Sequence, residues 1–133
     1  ILPRAPFEAQ KKSKGFSWYD KPLTSYKEIL YPIKIIEKVV DYFRTENGNE
    51  IKIFLLGFSQ GAALSAGAGL YLKSKIDGVI SIAGFIREDS IKLMGIKPNN
   101  NYCPLLIMHG NKDEIVPIES GIELKNILHI VVY

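Results

Sequence analysis

Between an apolar run, Ile51 to Leu56, and an Ala/Gly-rich run that opens at Gln60 stands Gly57-Phe58-Ser59-Gln60-Gly61. No other feature restricts the fold as tightly. A short Ile/Leu/Phe run reads as a strand buried on both faces, and the small residues after it read as a helix that can lie close to a sheet. The chain must therefore reverse from strand to helix within a few residues, with a serine at the bend.

The rest of the chain extends that unit. Apolar residues at Ile29, Ile33, Ile36, Val40 and Phe43 recur at helical steps and predict an amphipathic helix from about Ser25 to Arg44, with Pro32 in its early part. Asn47-Gly48-Asn49 ends it. After the strand at 51–56, a helix is expected from Gln60 to about Lys75. Strands are expected at Gly78 to Ala83 and Leu105 to His109, a short helix at Ile118 to Leu128, and a fourth strand from His129 to Tyr133. Alternation of this kind specifies an α/β fold, a mainly parallel sheet with helices on both faces. Residues 4 to 24 mix Pro, Lys, Gly and Ser with Phe7, Phe16, Trp18 and Tyr19 and read as a long ordered loop beside a site.

Composition removes several function classes. With 133 residues the chain forms one domain, taken as 1–133, and a net charge of +3 is too mild for a nucleic-acid surface. Lys11, Lys12 and Lys14 form the densest basic group and decorate a loop. One cysteine, Cys103, allows neither an internal disulfide nor a cysteine metal cluster. No stretch is apolar for the ~18 residues a membrane span needs, and the first residues do not form a signal peptide.

The serine has a chemical reason to sit at the bend. A sharp strand-to-helix turn lifts its hydroxyl clear of the sheet, and glycines two residues either side remove the collisions that side chains would cause. The turn also places it at a helix N-terminus, where free N–H groups face developing negative charge. Ser59 is then the expected nucleophile, and the Gln60 N–H an oxyanion donor worth about 3 kcal/mol in a transition state. The rival dinucleotide-binding pattern needs G-x-G-x-x-G, but Ser59 and Ala62 replace its later glycines, and Asp77 precedes its strand instead of ending it. Asp113, in the loop after the third strand, is the expected orienting acid, preferred over Glu114. His109 is read as a packed residue whose ring bonds a neighbouring loop. His129 stands at the wrong end of its strand, so the general base is expected beyond Tyr133.

Taken together, Gly57 to Ser65, the Ser17-Trp18-Tyr19-Asp20 loop and His109-Gly110 through Asp113 to Val116-Pro117 resemble the acyl-protein thioesterase / bacterial phospholipase–carboxylesterase family along nearly the whole chain. That resemblance implies an α/β-hydrolase domain, incomplete here, and a cytoplasmic serine esterase acting on small-molecule or lipid acyl esters or thioesters. It implies no cofactor, no metal and no nucleic-acid partner, and it is compatible with a homodimer. It also implies that Trp18, Phe58 and Phe85 border an acyl groove, with Ile115 and Val116 near its wall. The family's L-H-G oxyanion loop and terminal G-x-x-H are not in the sequence, which resembles a central piece with Ile1-Leu2-Pro3 ending an earlier strand. A non-catalytic remnant of the same fold is the competing reading. A dienelactone-hydrolase-like enzyme would need cysteine where Ser59 stands.

Overall fold

The computed structural model describes residues 1–9, 15–19, 27–86 and 103–127. Helical spacing of apolar residues produces α1, Lys27–Asn47, which runs through the buried Pro32 and turns Ile29, Ile33, Ile36 and Val40 inward. Each such buried aliphatic side chain contributes about 2 kcal/mol of transfer free energy. Three parallel strands follow: β3, Phe54–Phe58; β4, Gly78–Ile82; and β5, Leu105–Met108. They lie in the order β3-β4-β5, with Leu56 opposite Ile80 and Ile80 opposite Leu106. Helix α2, Gln60–Tyr71, joins β3 to β4, and α3, Ile118–Ile127, follows β5. Inside the expected loop two short strands, β1 (Phe7–Glu8) and β2 (Phe16–Ser17), pair antiparallel.

Period-two alternation divides the sheet's faces. Leu55, Val79, Leu105 and Ile107 point to the side on which all three described helices pack. Helix α2 is the middle of that layer, and its residues Ala62 through Ala68 are all buried. Small side chains allow it to lie against the sheet, α1 and α3 at once. On the opposite face Phe54, Leu56, Phe58, Leu106 and Met108 are each about half exposed or more. A helical layer on that second face is not among the described residues.

Boundaries shift for identifiable reasons. β3 begins at Phe54 instead of Ile51 because the Ile53 N–H and C=O are taken by Asp77 before the ladder starts. It runs on to Phe58, directly into the bend. α2 stops at Tyr71 instead of Lys75, where Leu72 turns extended and its N–H closes on Ala68 O. β4 stops at Ile82 because Ala83 adopts φ 50°. The strand expected at 129–133 lies outside the described residues, as do Ser25 and Asp20.

Candidate active site

Three chain segments leave the carboxyl edge of the sheet side by side, where parallel sheets present their ligands and reactive groups. The ladder extends past the strands: Ser59 N–H donates to Ile82 O at 2.9 Å, and Ala83 N–H to Met108 O at 2.8 Å. Ser59 sits at φ 51°, ψ −115°, a conformation an L-residue holds only under strain. The Ser59 carbonyl accepts from Ala62 and Ala63 N–H, starting α2, while its hydroxyl does not cap the helix. The Gln60 N–H belongs to the first turn and has no intrahelical acceptor, so it points outward beside Ser59.

The two flanking glycines are not equivalent. A Cβ on Gly57 would lie 2.0 Å from the Gly61 carbonyl oxygen, a backbone atom that cannot move aside. A Cβ on Gly61 would meet only the Trp18 Nε1 at 3.9 Å. The expected steric need for glycine therefore holds at 57 and not at 61.

Gln60 also acts through its side chain. The Oε1 accepts Trp18 N–H at 2.8 Å, and Nε2 donates to Tyr19 O at 2.8 Å and to Ser17 Oγ at 3.1 Å. Ser17 Oγ in turn donates to Tyr19 O at 2.6 Å. Beneath this clasp the Tyr19 ring is buried in the main core, which pushes its hydroxyl pKa up by desolvation. Sequence reasoning assigned only the backbone of Gln60. A contact spanning some forty residues leaves no local signal.

Asp113 occupies the turn after β5. Its Oδ1 accepts the N–H groups of Ile115 and Val116, both at 2.9 Å. These bonds, Val116 first, hold its pKa below the usual carboxylate value, and the neighbouring His109 lowers it further. His109 Nε2 lies 4.0 Å from Asp113 Oδ2 and 2.8 Å from Val116 O. A carbonyl only accepts, so Nε2 carries the proton and the ring is committed to this loop. The Nδ1 is buried against α3, where a Cβ on Gly121 would approach it to 2.8 Å. His109 is thus a packed residue bonded to a neighbouring loop.

A space of about 710 Å³ lies along the outer edge of β3, the edge strand of the described sheet, and every residue from Ile51 to Gly61 borders it. Ser59, Gln60, Trp18 and Phe58 line it together with apolar residues of α1 such as Val40 and Phe43. Ser59 follows β3 and Asp113 lies in the turn after β5, two strands away in the same sheet. Phe85, Ile115 and Val116 are not among the residues that border this space. Phe85 packs against the α1–α2 core, Ile115 is 86% exposed, and Val116 is buried beneath the Asp113 turn. Among the described residues no cluster of His, Cys, Asp or Glu could hold a metal ion, and no helix is long and apolar enough to cross a membrane.

A parallel sheet with a strained serine between strand and helix defines an α/β-hydrolase. The family model described as phospholipase/carboxylesterase matches residues 1–132, and the chain belongs to that family. It is 26% identical over 132 residues to carboxylesterase SOBER1 of Arabidopsis thaliana. It is 34% identical over 137 residues to acyl-protein thioesterase 1 homolog 2 of Dictyostelium discoideum. Each alignment covers 91% of this chain and 58% of the relative, so the chain spans well under two thirds of their length. The crystal structure of Arabidopsis thaliana SOBER1 superposes with a TM-score of 0.80 at 23% identity, covering 97% of this chain and 67% of that one. At that identity the likeness is one of fold.

Proposed function

We propose that the protein carrying this chain hydrolyses carboxylic esters or thioesters of acyl chains, with Ser59 as nucleophile. The observation that carries this reading is the strained Ser59 at φ 51° on the bend between β3 and α2. The names of its relatives, a carboxylesterase and an acyl-protein thioesterase, agree with it. Ser59 Oγ attacks the acyl carbonyl carbon while a general base from outside the described residues takes its proton. The Gln60 N–H donates to the oxyanion, a contact worth about 3 kcal/mol. Asp113, kept ionised by its two backbone donors, orients and compensates the protonated base. Collapse of the intermediate releases the alcohol or thiol with that proton. Water, deprotonated by the same base, then frees the acid and restores Ser59.

Acyl esters and thioesters are the substrate class of this reading, and lysophospholipids and S-acylated proteins belong to it. A cytoplasmic setting is part of the same reading. Cys103 is a free thiol, raised to about 11 by desolvation and then by Asp77, and has no nucleophilic role in this scheme.

A fluorophosphonate probe on the full-length protein tests the reading. Ser59 is expected to be labelled, and Ser59→Ala to lose both labelling and ester hydrolysis, by roughly 10⁶-fold in kcat. Hydrolysis that persists in Ser59→Ala, or labelling at another residue, would overturn it.

A further inference from the structure

We propose that His109 is a positioning residue for the orienting acid: through Val116 it sets the Asp113 carboxylate so that one oxygen is anchored and the other is left to meet the general base. This rests on the reading of Asp113 as the acid of a serine esterase.

The contacts form a chain from the sheet to the carboxylate. His109 directly follows β5, so its backbone is set by the strand. Its Nε2–H donates to Val116 O at 2.8 Å, and the Val116 N–H donates to Asp113 Oδ1 at 2.9 Å. Both polar backbone groups of Val116 are therefore tied, one to the ring and one to the carboxylate. A rotation of Val116 would break one of them. The Ile115 N–H holds the same Oδ1 at 2.9 Å, and the Asp113 N–H closes the turn on Gly110 O at 3.3 Å. Oδ2 accepts no hydrogen bond among the described residues, and His109 Nε2 stands 4.0 Å from it. A carboxylate clamped at one oxygen and free at the other presents a single directed acceptor, which is what holding a base in one orientation requires.

The ring is braced from its other side. Its side chain is 5% exposed, and α3 brings Gly121 against it. A Cβ at 121 would come within 2.8 Å of His109 Nδ1 and 3.3 Å of Cγ, so the helix lies this close only because that residue has no side chain. Nδ1 itself is buried with no partner among the described residues. A polar ring buried with one nitrogen unpaired costs stability that an aliphatic side chain of similar size would not. Packing alone therefore gives no reason for a histidine at 109. The bond to Val116 does.

The experiment uses the full-length protein, p-nitrophenyl acetate hydrolysis, and kcat expressed per folded molecule. His109→Leu keeps the bulk and removes the donor. Its kcat is expected to fall about tenfold while KM stays within about twofold of wild type, because the acid touches no substrate. His109→Gln carries an N–H donor near the place of the imidazole Nε2 and is expected to recover kcat to within about threefold of wild type. On an Asp113→Asn background His109→Leu should lower kcat no further, since a group that acts through Asp113 then has nothing left to position. Gly121→Ala pushes the ring from the α3 side with its chemistry intact, and should lower kcat about threefold at unchanged KM. If His109→Leu does not fold, an unchanged kcat in Gly121→Ala overturns the proposal. So does a wild-type kcat in His109→Leu, a His109→Gln no better than His109→Leu, or a further loss of about tenfold on the Asp113→Asn background; each of these leaves the esterase reading standing. If Asp113→Asn alone retains wild-type kcat, the acid reading fails and the positioning role with it. Absence of fluorophosphonate labelling at wild-type Ser59 removes both.

Discussion

The two ends of the parallel sheet are built on opposite terms. At the amino end Arg44 reaches out of α1 and donates to the carbonyls of Asn49, Ile51 and Lys75 and to the Asp77 carboxylate. Asp77 also takes the Ile53 N–H and pairs with Lys75. Donors and acceptors match there. At the carboxyl end stand both described non-glycine residues with positive φ, Ser59 and Ala83. There too lie Ser81 Oγ and His109 Nδ1, buried without a hydrogen-bond partner among the described residues, and Tyr19, joined to Gln60, leaves its hydroxyl in the same condition. Backbone strain collects where chemistry is proposed, while the hydrogen-bonded Arg44–Asp77 hub lies at the opposite end.

The sharpest way to break this contrast is at Asp113. Asp113→Asn retains an amide oxygen for the Ile115 and Val116 N–H groups but removes the charge. If Asp113 orients the general base, kcat falls by about 10⁴-fold while Tm stays close to wild type. A drop in Tm with kcat intact would make the residue a turn former only, and the contrast between the two ends would weaken.

Next in size is the pair of glycines around the bend. Gly57→Ala drives a methyl into the Gly61 carbonyl and is expected to cost about 3 kcal/mol or more in urea unfolding. Gly61→Ala meets only ordinary contact and should stay within about 1 kcal/mol of wild type. Equal costs would mean that the bend opens more freely than its φ of 51° implies.

At the opposite end, Arg44→Met keeps an apolar stem and removes the guanidinium. Stability should fall by about 2 kcal/mol, since four acceptors lose their donor. Fluorophosphonate labelling of Ser59 per folded molecule should not change. A variant that loses labelling at full stability would show that the two ends are coupled.

What could be read from the residues follows the same division. The strand–bend–helix at 51–71, the periodicity of α1 and the short apolar runs of β4 and β5 are local patterns, and each came out within a few residues. Gly57 was legible because the collision it avoids is four residues away. The Gln60 clasp on residues 17–19 and the Arg44 hub were not, because their partners are brought together by packing across the chain. Phe85, Ile115 and Val116 are expected along a groove by resemblance alone, since apolarity carries no direction. The fold turns Phe85 into the helical core and leaves Ile115 in solvent.

The smallest expected effect separates the ends by pH. Asp77 has its pKa held below 3.8, first by the Ile53 N–H and then by Lys75 and Arg44. The unfolded chain therefore binds a proton there more readily than the folded one, and the ionised form favours folding above the unfolded value. That increment is complete near neutrality and is lost as pH falls below about 4 through the folded pKa. Asp77→Asn should flatten this part of the stability curve, so that acid unfolding of the variant is shallower in that window than for wild type. Asp113 has the same sign of shift, and its Asn variant should flatten the same window less, because two amides and one histidine face it where Asp77 has an amide and two permanent cations. If Asp113→Asn flattens the curve more than Asp77→Asn does, the carboxyl end holds the stronger electrostatic anchor. The division of labour between the two ends would then be reversed.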